Sequence, residues 1–255
     1  MTDKPRSRVP AGVSTGGQFA TAARSESQVS LPAARGWFTC EADLLASTTP
    51  DAAPGSIGAR RRRLAELAAE SIWDENHDPI DLQPSVASAS LRFRVRHGQP
   101  DEPMWADTLP GARAALRGSR APGRVVELRG LRDSSDDPLE VTGHPNEPIQ
   151  VLLPGFGAST PLRVTKGAAI VHAGQQSRRA GRERDRAARV DVTVAPGASV
   201  LVFGARYGQV NVTVEGDGVA VVVGERYTTG TLARTPDGSI DVIAPTSPDL
   251  QVQTH

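Results

Sequence analysis

From Val190 to Thr229 the chain repeats its own pattern of apolar and polar positions, reading VDVTVAPGASVLVFGARYGQ over 190–209 and VNVTVEGDGVAVVVGERYTT over 210–229. Without gaps, Val190/Val210, Val192/Val212, Thr193/Thr213, Val194/Val214, Val202/Val222, Gly204/Gly224, Arg206/Arg226 and Tyr207/Tyr227 coincide. Each half joins an alternating β-branched run (VDVTV) to an almost continuously apolar one (VLVF), with glycine-bearing turns between and after. Period-two alternation and β-branched residues predict strands.

Two architectures fit a 20-residue unit of two strands. In a short β-solenoid, equivalent residues of successive coils stack about 4.8 Å apart, which favours in-register identities. In a β-sandwich or jelly roll the halves are duplicated hairpins, and nothing requires matching side chains. With two clear copies visible, the balance leans slightly to the sandwich. A shorter, degenerate copy is read in PLRVTKGAAIVHAG (161–174), aligned as Leu162/Val190, Val164/Val192, Thr165/Thr193 and Gly174/Gly204 on the assumption that its first turn has lost two residues. Further on, TLARTPDGSIDVIAP (231–245) reads as one more hairpin around Pro236-Asp237-Gly238, and the last ten residues read as a frayed end.

Upstream, VVELRGL (125–131), DPLEVTG (137–143) and PIQVLLPG (148–155) predict three further strands. The strongest helical pattern is GARRRRLAELAAESIW (58–73), with Ser56 as N-cap and Leu64, Leu67, Ala68, Ser71 and Ile72 on one face. Its Arg60–Arg63 run reads as a solvated face. SLRFRVRHG (90–98) alternates as an edge strand guarded by Arg92, Arg94 and Arg96, GARAALRG (111–118) is a short helix, and the island GWFTCEADLL (36–45) docks as a strand or helical turn. The resulting organisation is a flexible tail over 1–30, a helix-containing Pro/Gly-rich region over 31–124, a β-rich domain over 125–245 and a flexible C-terminus over 246–255. The fold class is mainly β.

Composition supports this. Among 255 residues there are 25 glycines and 20 prolines with only 4% aromatics, which suits turns and short strands better than a helical bundle. The 29 basic and 29 acidic residues balance, so the chain as a whole has no electrostatic drive toward nucleic acid or anionic membrane. Charge is uneven locally: residues 151–189 hold eight basic and two acidic groups, while 190–255 hold three and seven. One cysteine, Cys40, excludes an intrachain disulfide and a thiolate metal cage. No apolar run reaches the roughly 20 residues needed to span a bilayer, and the expected location is the cytoplasm or a particle assembled there.

Candidate chemistry is sparse. The five histidines are scattered without a paired spacing, GFGAST (155–160) leads into a strand and not the helix of a phosphate loop, and the aspartates of DSSDDP (133–138) lack calcium-loop spacing. A cupin-like roll would lack its metal ligands after Gly197. No catalytic residue, metal or cofactor is therefore expected. Candidate binding residues are the arginines of the charged insertion QQSRRAGRERDRAAR (175–189), namely Arg178, Arg179, Arg182, Arg184, Arg186 and Arg189, and the paired turn residues Arg206, Tyr207, Arg226 and Tyr227, whose guanidinium and phenol groups suit a sugar, base or partner loop.

In the tail, Arg8, Pro10, Gly12, Thr15, Gly16, Gly17, Gln18 and Phe19 fall in RVPAGVSTGGQFA (8–20). This stretch resembles a short motif, roughly R-x-P-A-G-x-x-T-G-G-Q-F-A, that opens many uncharacterised proteins of actinobacteria, their plasmids and their phages. The resemblance covers about a twentieth of the chain and implies a genomic neighbourhood and a peptide for a shared partner, without catalytic residues. The function expected from these features is a non-enzymatic structural or interaction protein with a protein partner, capable of oligomerising. The alternatives are a nucleic-acid binder using Arg178–Arg189 and an enzyme of unrecognised type on a jelly-roll scaffold.

Overall fold

The computed structural model describes residues 37–38, 41–72, 104–117, 124–128, 137–153, 161–173, 189–204, 208–224, 228–243 and 249–254. In chain order these form β1 (Trp37–Phe38), α1 (Glu41–Ala46), α2 (Ile57–Ile72), β2 (Met104–Ala106), α3 (Leu109–Arg117), β3 (Val125–Leu128), β4 (Leu139–Thr142), β5 (Ile149–Leu153), β6 (Leu162–Lys166) and β7 (Ala168–Ala173). They continue as β8 (Arg189–Val194), β9 (Ser199–Phe203), β10 (Gln209–Val214), β11 (Val219–Val223), β12 (Thr229–Arg234), β13 (Ser239–Ile243) and β14 (Asp249–Thr254). The expected tail, the 90–98 strand and the 154–160 glycine loop lie outside the described residues.

Every strand pairing is parallel. One sheet runs β1-β13-β11-β9-β7-β5-β3-β2 and the other β14-β12-β10-β8-β6-β4, so the chain alternates between two stacked sheets and advances one strand in each per coil. This is a β-solenoid, with about four turns in the C-terminal half. Register is held by the 20-residue repeat: Val190 sits beside Val210, Val192 beside Val212, and Val202 beside Val222 beside Val242. We call the β1–β13 layer the helix-side sheet and the β14–β4 layer the open sheet.

The two strand types of the repeat now have a physical cause. In the open sheet, Val190, Val192, Val194, Val210, Val212, Val214, Leu232 and Leu250 point into the interior, while the residues between them face outward, which gives alternation. In the helix-side sheet, Val200, Val202, Ala220, Val222, Ile240 and Val242 line the same interior. Their neighbours Leu201, Phe203, Val219, Val221, Val223 and Ile243 are buried on the other side against Leu44 of α1 and Leu64, Ala65, Leu67, Ala68 and Ala69 of α2. Strands covered on both faces read as continuous apolar runs.

Ser56 caps α2 as its position predicts: its Oγ accepts the Ala59 N–H at 3.2 Å and its carbonyl accepts the Arg60 N–H at 3.0 Å. Helix α3 packs across β4 and β2, the first strands of the two sheets, and adds Ala112, Ala115 and Leu116 to the interior. The described elements before residue 124 thus pack on those after it, within one unit spanning Arg35–His255.

Four local expectations change. The segment 231–245 is not a hairpin, because β12 and β13 lie in different sheets and each continues the coil of the preceding repeat. The degenerate copy is real but shifted: Leu162 pairs with Val192 and Val164 with Val194, two residues from the alignment by sequence. Its turn is one residue shorter than that of the next coil, since Val164 pairs with Val194 but Ala168 with Ser199. A two-residue slip leaves every side chain on its own face, so the apolar pattern could not reveal it. Where a frayed end is expected, Asp249–Thr254 form β14, paired along its length with β12. Half of the arginine run is not solvated, as shown below.

Candidate functional site

The outer surface of the open sheet is built from columns of equivalent residues in successive coils. Gln209 stacks on Arg189 and is followed by Thr229; Asn211 stacks on Asp191; Thr213 stacks on Thr193 and is followed by Ala233. Arg189, Gln209, Thr213, Thr229, Gln251 and Gln253 are exposed. The central column is hydrogen-bonded from coil to coil: Asn211 Nδ2 donates to Asp191 Oδ1 at 2.7 Å and Thr231 N–H donates to Asn211 Oδ1 at 3.1 Å. That second bond falls where the β10–β12 register is interrupted, between Gln209–Thr229 and Val212–Leu232. Gly230 sits in the gap with φ 150°, where a Cβ would lie 1.8 Å from the Val210 carbonyl oxygen.

Several charges on this surface are paired in place. Arg189 donates from Nε to Asp191 Oδ2 at 2.8 Å, Arg163 meets Glu215 through two bonds of 3.0 and 2.5 Å, and Arg117 of α3 lies 2.9 Å from Glu140 of β4. The Glu215 carboxylate holds the Arg163 pKa above its usual value.

On the other side, two arginines of α2 fasten the helix to the coils. Arg61 grips both carboxylate oxygens of Asp241, with Nη2 to Oδ1 at 2.9 Å, and also donates to the Ser47 carbonyl at 2.7 Å. The Asp241 side chain is only 3% exposed. Arg60 donates to the Asp217 carboxylate at 2.7 Å, to the Asp217 carbonyl at 2.9 Å and to the Ala198 carbonyl at 3.2 Å. Asp217 also accepts the Gly197 N–H of the preceding coil at 2.7 Å. That backbone bond is the main reason its pKa lies below the usual carboxylate range, with Arg60 adding to it.

Beyond α2 the outer face of the helix-side sheet turns polar. Gln150 and His172 are buried there, and the His172 ring stacks on Phe203 in the next coil with centroids 4.9 Å apart and planes 5° from parallel. Neither was singled out by spacing, because a lone histidine in AAIVHA carries no motif. Asp241 was equally silent in sequence, although its place in a column of apolar residues, beside Val221, is a signal that a partner is needed.

Of the ten binding residues expected from sequence, Arg189 alone is described. It begins β8 and is tied to Asp191. Arg178, Arg179, Arg182, Arg184, Arg186, Arg206, Tyr207, Arg226 and Tyr227, with the tail residues Arg8 to Phe19, lie outside the described residues. Among the described residues no group of three His, Cys, Asp or Glu side chains is placed to hold a metal ion, and no helix is long and apolar enough to cross a membrane.

Fold and surface together define a two-sheet parallel β-solenoid with one helix-covered face and one polar face. Against known proteins, the chain matches no family model, no curated protein and no solved structure.

Proposed function

We propose that this chain is a non-enzymatic structural or interaction protein, a body of stacked coils that presents a polar sheet, together with the loops and tail of the chain, to a protein partner. The observation that carries this reading is the contrast between the two faces. The apolar outer face of the helix-side sheet is covered by the chain's own α1 and α2, whereas the open sheet exposes Gln209, Thr213, Thr229, Gln251 and Gln253 in register. Stacked parallel coils form a platform that positions side chains at a fixed repeat. The tail resemblance supports an origin in a phage, plasmid or other accessory region of a high-GC bacterium, acting in the cytoplasm or in a particle assembled there.

The test is capture of partners by the immobilised chain, by the same chain lacking residues 1–30, and by a variant carrying Arg178→Glu, Arg179→Glu, Arg182→Glu, Arg184→Glu and Arg186→Glu. A protein retained by the intact chain and lost with either alteration supports display from the scaffold. Retention on DNA that falls steeply with salt and vanishes with charge reversal replaces this reading with nucleic-acid binding. Arg189, already neutralised by Asp191, weighs against that alternative.

A further inference from the structure

The ends of the solenoid are finished differently. At the first coil, α3 lies across β4 and β2, the outermost strands of the two sheets, and seals the interior with Ala112, Ala115 and Leu116. At the last coil, β1 pairs with β13 and covers that edge at Val242 and Ile243. The fourth edge belongs to β14, the terminal strand of the open sheet, and among the described residues no element lies beyond it. The interior is also less closed there: Leu250 and Ile240 are 7% and 6% exposed, while Val210 and Ala220, at equivalent positions in earlier coils, are fully covered.

Natural sheet edges are blunted by brevity, by lysine or proline, or by a bulge. Strand β14 has none of these. It is six residues long, DLQVQT, contains neither lysine nor proline, and pairs with β12 through six consecutive residues without a register shift. Gln251 and Gln253, at the middle of the strand, are exposed and uncharged; its one charged residue, Asp249, stands at its start, so the central positions carry no charge to repel an incoming strand.

We propose that the outer edge of β14 pairs antiparallel with β14 of a second copy of this chain, forming an isologous dimer in which the two open sheets join into one. The occupant is a second copy in head-to-head orientation because the opposite end is sealed by α3, which leaves no complementary edge for head-to-tail growth. A two-fold axis at Val252 sets Gln251 of one copy opposite Gln253 of the other, on the same outer face, where the two amides hydrogen-bond across the seam. The dimer does not rest on the display function proposed above, although it draws on Gln251 and Gln253 of the same polar face: it is read from oligomeric state, not from partner capture.

Light scattering coupled to gel filtration, over a dilution series of the 255-residue chain, decides it. The expected result is a species of twice the 26.9 kDa chain mass that dissociates on dilution. Gln251→Lys with Gln253→Lys, and separately Gln251→Glu with Gln253→Glu, place like charges across the seam at exposed positions, so each variant is expected to run as a monomer with an unchanged circular dichroism spectrum. Mixing the two variants is expected to restore the dimer. Hydrogen exchange gives a second readout: the β14 amides of the unaltered chain exchange more slowly as concentration rises, and those of the lysine variant do not. A monomer at every concentration, or a dimer that persists in both charged variants, overturns the proposal.

Discussion

Arg61 and Asp241, 180 residues apart in the chain, form a two-pronged ion pair that locks α2 onto the last described strand of the helix-side sheet. Asp241 takes the place that Val221 holds one coil earlier, so a carboxylate follows Ile170, Leu201 and Val221 in one column beneath a helix. Removing one partner of such a pair leaves an uncompensated buried charge, whereas replacing both by apolar groups is often neutral. Arg61→Ala is therefore expected to lower stability by about 3 kcal/mol. Asp241→Val combined with Arg61→Leu should recover most of that loss, read from denaturant midpoints.

The Asp217 carboxylate couples two coils and α2 through Gly197 and Arg60. Because its folded pKa is depressed, its contribution is complete above the ordinary aspartate value of about 3.9 and is lost as pH falls through the lower folded value. Between those two values the unfolded chain binds more protons, so stability rises with pH. Asp217→Asn should flatten this acid limb, as measured by thermal midpoints from neutral pH down to the acid transition.

Asn211 bridges Asp191 and the Thr231 N–H. Asn211→Ala removes both bonds and is expected to cost about 1 kcal/mol. Asn211→Asp should cost more at neutral pH, because it sets a second carboxylate against Asp191, and the excess should shrink on acidification. Denaturation of both variants at two pH values checks the pair.

Two glycines are required for different reasons. At Gly197, φ is 75° and a Cβ would meet no atom within 4 Å, so alanine there costs only the left-handed penalty of about 1 kcal/mol. At Gly230 a Cβ would strike the backbone of Val210 at 1.8 Å, and alanine is expected to cost roughly 3 kcal/mol and to disturb the β10–β12 pairing. Equilibrium unfolding of the two variants should rank them in that order.

Much of the fold is legible in the residues themselves. The valines at 190, 192 and 194 and their counterparts 20 residues on announce strands and stacked identity, and Ser56 with Leu64, Leu67 and Ala68 announces a capped amphipathic helix. The third clear coil was hidden, because Gly230, Arg234 and Ser239 stand where Val210, Val214 and Val219 set the pattern. The final strand was hidden for a related reason. DLQVQT holds only two apolar residues, Leu250 and Val252, too few to separate a strand from a frayed end without the β12 edge that receives it.

The functional surface divides along the same line. Alternation in VDVTV and VNVTV already states that one sheet has a wet face, and the unbroken VLVF and its counterpart VAVVV require cover on both sides, because burial of apolar surface leaves no other stable arrangement. What covers the second face could not be read. Pairing α2 with β9, β11 and β13 joins residues more than a hundred positions apart, and local pattern carries no information about such contacts.

The sequence by itself determined that the C-terminal half is a repeated, strand-built body with one polar face, because side-chain period and β-branching act through neighbouring residues. Only the tertiary structure decided that the strands run parallel in two sheets, that Arg60 and Arg61 turn inward to Asp217 and Asp241, and that the last edge is left to β14. Those outcomes depend on which distant segments meet, and that is settled by burial and charge pairing across the whole coil.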